Sequence, residues 1–313
     1  MINIEQLFKE MPSTILNNQR KIIINTKIKI YYGLSKEGFL RISFLSACRP
    51  HEIEGTKLIR VLQLNESEDV YWTCFDLLDI NAKSAYFLLI EDLIQSIVDC
   101  ETEISCLLTI KNRFIIWKKM LGRLVSGEMS EEKVKGLFGE LYFLYNYLIP
   151  NYGVNNAVLS WGGPDNNSKD FTLPNNWFEI KTINPGVNEV KISSLTQLDS
   201  DIPGKLSIIR VEPMSEAYYD GMSSIEDLIY KILNSIEDLS LKEKFLYKLD
   251  KLKYSPIDTS TKLKYKVHSI DIYNVDASFP RICINDIKYQ EICKVSYSLY
   301  IKAIEKYKDV KLL

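Results

Sequence analysis

The sequence predicts an α/β module set between a β-rich N-terminal region and a mixed C-terminal region. Three observations carry this reading. Residues 21–75 hold several runs rich in β-branched and aromatic residues. After Ala82 the apolar period changes to three-and-four spacing. From Ser130 to Val211 one amphipathic stretch is followed by several short strand-like runs.

In order, "KIIINTKIKIYY", "FLRISFLSA", "LIRVLQL" and "VYWTCFDL" read as strands, with Gly33, Pro50 and Gly55 at turns. "AKSAYFLLIEDLIQSIVDC" and "EISCLLTIKNRFIIWKKMLGRLV" read as two helices. Ser126-Gly127 is the expected boundary. A third helix starts at Ser130, a good N-cap followed by Glu131 and Glu132, and is expected to stop at Pro150. A hairpin at 169–182 follows, then "VKISSLTQLD" and a strand at "KLSIIRV". The last hundred residues mix a helix near "SIEDLIYKILNSI", a Lys-rich stretch, "YKVHSIDIYNV" and "ICKVSYSLYIKAIEKY". The expected division is a β-rich region at 1–80, a helical connector at 81–128, the α/β module at 129–212 and a mixed α/β region at 213–313.

Composition narrows the function classes. The 313 residues are 46% hydrophobic and 26% charged, with a net charge of -2. A polyanionic partner must therefore meet a local basic surface. Six cysteines without a CxxC pair, and only two histidines, argue against a zinc cage and for free thiols in a reducing compartment. The N-terminus lacks the layout of a signal peptide, and the longest apolar stretch is broken by Glu91 and Asp92. A soluble, cytoplasmic protein without a membrane partner is expected.

The hairpin "KDFTLPNNWFEIKT" carries the chemistry. Side chains two apart on a strand share a face, so Glu179 and Lys181 point one way and Phe178 and Ile180 the other. A two-residue loop at Asn175-Asn176, or a four-residue loop at Pro174–Trp177, pairs Leu173 with Phe178. Either loop puts Asp170 opposite Lys181, on the face of Glu179; a three-residue loop turns it away. Two adjacent carboxylates repel, and the repulsion is relieved by protonation or by a cation. Oxygen donors suit Mg²⁺, and a lysine beside them can orient a water for phosphodiester hydrolysis. Glu-x-Lys alone carries little, since Glu189-Val190-Lys191 repeats it; an exposed ion pair on a solvated strand is the plain alternative.

The preceding helix adds a further acid. Val134, Leu137, Phe138, Leu141, Tyr145 and Leu148 form an apolar stripe, and Glu140 falls roughly 100° from its centre. Gly136 and Gly139 each cost about 1 kcal/mol in a helix interior, which points to a close approach by backbone or ligand. Tight helix packing with a solvated Glu140 explains the same residues.

"GLFGELYFL", "SKDF", "WFEIKT" and "VKISSLTQLD", in this order and spacing, resemble the PD-(D/E)XK nuclease superfamily, and more narrowly a bacterial group within it. The narrower likeness continues through "SIDIYNV", "FPRI" and "VSYSLYI". The resemblance implies a restriction-endonuclease-like α-β-β-β-α-β core, α+β overall with its flanking regions. It implies Asp170 and Glu179 as metal ligands, Lys181 as the catalytic lysine, and Glu140 as the helix acid that joins the metal shell. Gln197, at the start of the helix expected after "SS", would support the site, while Ser193 and Ser194 would cap that helix or touch phosphate. Mg²⁺ is the implied cofactor, with Mn²⁺ able to substitute. The literal Pro-Asp pair is Pro164-Asp165, in a loop; Asp170 is preferred because it leads into a strand at hairpin distance from Glu179.

DNA is the implied substrate. Lys111, Arg113, Lys118, Lys119 and Arg123 form one candidate basic track, and the lysines of "KEKFLYKLDKLKY" with Lys262, Lys264 and Lys266 another. Solvated charged faces explain both equally well. Two functions follow from the resemblance. One is a Mg²⁺-dependent DNA endonuclease, restriction-like and serving prokaryotic defence, as a homodimer or with other defence-system subunits. The other is a catalytically idle module of the same fold that binds DNA or a partner. RNA remains open as a substrate.

Overall fold

The computed structural model describes residues 3–11, 19–121, 129–165, 167–214, 221–254, 263–289 and 291–312. The chain forms two compact units, Met1–Gly127 with Lys253–Asp258, and Glu128–Leu252 with Thr259–Leu313. The β-rich region and the helical connector thus share the first unit. The α/β module and the C-terminal region share the second.

The first unit begins with helix α1 (Ile4–Lys9). Strands β1 (Gln19–Ile22), β2 (Lys29–Leu34), β3 (Leu40–Ser46), β4 (Ile59–Ser67) and β5 (Val70–Leu77) follow. They form an antiparallel sheet in the order β1-β2-β3-β5-β4. Helices α2 (Lys83–Ser96) and α3 (Glu103–Leu121) complete the unit. Arg113 of α3 does not belong to a basic track: it is buried, and its guanidinium grips both oxygens of Asp92 on α2. A guanidinium cannot stay buried without such a partner. Arg123 lies outside the described residues.

The second unit holds the site. Helix α4 (Glu131–Phe143) runs through a π-turn at Leu144–Leu148 into α5 (Ile149–Tyr152), and α6 (Val154–Ser160) follows. Pro150 therefore does not end the helix. The widened turn lies where the proline ring and its missing N–H would disturb the regular ladder. Next come β6 (Phe171–Leu173), β7 (Asn176–Ile183), β8 (Glu189–Ile192) and β9 (Gly204–Met214). Helices α7 (Ile225–Ser235) and α8 (Leu239–Lys251), strands β10 (Lys264–Val275) and β11 (Tyr297–Tyr300), helix α9 (Ile301–Ile304) and strand β12 (Lys308–Leu312) complete it. Helix α7 opens on a capping box between Ser224 and Asp227.

The sheet order is β12-β10-β9-β7-β6, with β7 parallel to β9 and antiparallel to β6. Helix α4 lies on the face of β7 that carries Phe178 and Thr182: Phe143 packs on Phe178, and Gly139 rests on Thr182. A Cβ at Gly139 would clash with Thr182 Oγ1, so this glycine sets how closely the helix approaches. Gly136 meets nothing within 4 Å and has no such role.

The opposite face of the sheet departs from the expected core. Strand β8 leaves the main sheet and pairs with β11. "SSLTQL" forms only a 3-10 turn at Leu195–Gln197, not a helix. Val190, Ile192, Leu198 and Ile301 instead cover Trp177, Leu206, Ile208 and Tyr273 in one apolar cluster. Buried apolar side chains at alternate positions of β8 suit a strand lying on a sheet.

Candidate active site

The β6–β7 hairpin sets the geometry. Leu173 pairs with Asn176 and Phe171 with Phe178, so the loop is Pro174-Asn175 and the register differs by two residues from the expected one. A shift of two keeps every side chain on its face. It brings Asp170 level with Glu179 rather than with Lys181.

Strand β6 is short, and beyond Phe171 its ladder ends. The Ile180 N–H then donates to Asp170 Oδ2 at 2.7 Å. This bond satisfies a backbone donor that the missing ladder would otherwise leave alone. Glu179 is buried at 2% exposure, and Lys181 Nζ lies 2.8 Å from Glu179 Oε1. Glu140 arrives from α4, where its Oε2 accepts the Trp161 indole N–H at 2.7 Å. Gly163 closes the group. A Cβ there would lie 2.9 Å from Glu140 Oε2 and 3.6 Å from Asp170 Oδ1, so the two carboxylates flank one glycine.

The electrostatics follow from burial. Desolvation, with the Asp170 charge added and Lys181 opposing, pushes the Glu179 carboxyl up to about 8. Desolvation also raises Asp170, against the Ile180 N–H and the charges of Lys181 and Lys169. Glu140 is raised well above its ordinary value by desolvation and then by Asp170, with the Trp161 N–H opposing. Three carboxyls are thus held where ionisation is costly in the absence of a cation.

Among the described residues no three His, Cys, Asp or Glu side chains are gathered tightly enough to hold an ion as placed. Mg²⁺ needs fewer, because it takes one or two carboxylates and fills its shell with water and substrate phosphate. Hard oxygen donors, a glycine where a Cβ would crowd the Glu140 carboxylate, and raised carboxyls all fit such an ion.

Other expected residues fall outside this group. Asp165 is exposed, bound at 2.6 Å by Lys251 and at 3.7 Å by Lys248, and these charges hold its carboxyl low. Gln197 Oε1 accepts the Ser193 N–H at 2.7 Å, and the Ser194 hydroxyl lies 2.9 Å from that of Thr196. They shape the turn after β8. Lys118 is bound to Glu54 at 2.7 Å, and Lys119 is exposed. Of the second basic track, Lys242 and Lys248 are buried, and Lys262 lies outside the described residues.

Sequence reading passed over Trp161 and Gly163. The Gly-Gly pair beside Pro164-Asp165 was the available signal, since small residues permit close approach. Lys169 was also missed. Its ammonium donates to the carbonyls of Thr196 and Asp199 and lies 4.4 Å from the Trp177 ring centroid, and burial lowers it to about 8. It ties the turn after β8 to the bend leading into β6.

A helix acid and an Asp…Glu-x-Lys hairpin on a mixed sheet are the features of a PD-(D/E)XK-like protein. The chain belongs to the family described as "Putative PD-(D/E)XK family member" (DUF4420), which it matches over residues 4–302. No curated protein and no solved structure matches it. Among the described residues no helix is long and apolar enough to cross a membrane.

Proposed function

We propose that this protein is a divalent-metal-dependent DNA endonuclease, restriction-like and serving prokaryotic defence. The observation that carries the reading is the grouping of buried Glu179 and half-buried Asp170 beside Lys181, with Glu140 facing Asp170 across Gly163. Asp170 and Glu179 would hold Mg²⁺ or Mn²⁺, with Glu140 completing the acidic set. The ion, when bound, supplies Lewis-acid stabilisation of charge on phosphate oxygens.

The chain's own residues do the rest. Lys181, held by Glu179 Oε1, presents its ammonium to orient the attacking water and to balance charge on the scissile phosphate. The Ile180 N–H fixes one oxygen of Asp170, which leaves the other free to bind. The apolar layer beneath Glu179 excludes bulk water and strengthens each charge interaction.

Incubating the purified chain with supercoiled and linear DNA, with Mg²⁺ or Mn²⁺ and then with excess chelator, tests this reading. Metal-dependent nicking or linearisation is expected. DNA binding without cleavage, in either metal and with neighbouring gene products added, would instead favour the idle module.

A further inference from the structure

The tripeptide Trp161-Gly162-Gly163 touches both acids that flank it. The Gly162 N–H donates to the Asp170 carbonyl at 2.7 Å, and that of Gly163 to the same oxygen at 3.3 Å. Trp161 bridges to Phe171 at the start of the hairpin. Its indole N–H reaches Glu140 Oε2 on α4. One short segment therefore ties the Asp170 backbone to the Glu140 side chain.

Trp161 is in turn fixed by α8. The Lys248 ammonium donates to its carbonyl, and the Phe245 ring lies 5.7 Å from the indole centroid. The indole is fully buried, so it has no freedom to swing away from Glu140. An indole can only donate, and here it donates to one oxygen of a carboxylate. The other Glu140 oxygen is left for a ligand.

We propose that Trp161 is a positioning residue, whose indole N–H holds the Glu140 carboxylate toward Asp170 so that the acidic set is organised before a divalent ion arrives. This rests on the metal-dependent reading above. Hydrogen-bonding partners behind ligating side chains typically change metal affinity 10- to 100-fold when removed.

The test uses the full chain, Mn²⁺ titrated by calorimetry, and melting followed by circular dichroism. Trp161→Phe removes the N–H together with part of the ring. Replacing Trp161 with benzothienylalanine keeps the bicyclic shape and substitutes sulfur for the N–H, which makes it decisive should the phenylalanine variant not fold. Mn²⁺ affinity about 10- to 100-fold below wild type in the benzothienylalanine protein is the expected result. Wild-type affinity in that protein, whatever its melting temperature, would overturn the inference and leave the metal reading intact. Absence of Mn²⁺ binding by the wild-type protein would overturn both.

Discussion

Asp170 and Glu179 stand level with each other where the β6–β7 ladder ends, one taking the Ile180 N–H and the other Lys181. Their burial and mutual repulsion make the metal-free protein sensitive to pH. The Glu179 carboxyl is raised from 4.5 to about 8, so the folded chain holds a proton that the unfolded chain has released. That contribution to stability is complete below about 4.5 and is lost as pH rises through about 8. Denaturant unfolding in chelator between pH 5 and 8.5 should show stability falling, and Glu179→Gln should flatten the fall. An unchanged slope in the variant would remove Glu179 as its source.

A divalent ion should reverse this loss. An ion bound to the folded state alone adds about 2.7 kcal/mol at a hundredfold excess over Kd. Asp170→Asn should melt higher than wild type in chelator, since repulsion is relieved while an amide oxygen can still accept from Ile180. It should then gain little from Mg²⁺ or Mn²⁺. Melting in chelator at or below wild type would argue against the repulsion.

The two candidate aspartates are separable. Asp165→Ala loses an ion pair with the partly exposed Lys251 and a longer one, at 3.7 Å, with Lys248, and should leave cleavage within a few-fold of wild type. Asp170→Ala should abolish cleavage and Mn²⁺ binding together. Nuclease rates and calorimetry on the two variants decide the matter, and the reverse pattern would move the metal to Asp165.

Much of this was legible in the sequence because it depends on local pattern. Strands β3, β4 and β5 of the first unit and helices α2 to α4 follow from alternation and from three-and-four spacing, whereas "KIIINTKIKIYY" reads as one strand but folds as parts of two, β1 and β2, with Gly33 inside β2 rather than at a turn. The expected hairpin register is off by two residues, a slip that preserves the parity of the β6 and β7 side chains. What was illegible is non-local. Only the folded chain shows that β8 leaves the sheet to pair with β11, more than a hundred residues away, and that this pair fills the place expected for a helix. Likewise Arg113 reads as surface charge until Asp92 is seen beside it, and nothing in "SWGGPD" announces that its indole meets a glutamate 21 positions earlier.

Gly139 sets how far Glu140 reaches. Gly139→Ala would press a Cβ into Thr182 and should cost about 1–3 kcal/mol by overpacking. Thr182→Ala, which removes the oxygen in the clash, should restore part of it. Urea unfolding of the single and double variants checks both; full additivity of the two changes would mean that they do not touch.

The most direct measurement is the rate at which saturating Mn²⁺ supports conversion of supercoiled plasmid to nicked and linear forms, for wild type and Lys181→Ala side by side. Lys181 serves the water and the phosphate rather than the ion. The variant should therefore bind Mn²⁺ within a few-fold of wild type and cut about 10²- to 10⁴-fold more slowly. Equal cutting rates for the two proteins would contradict the mechanism.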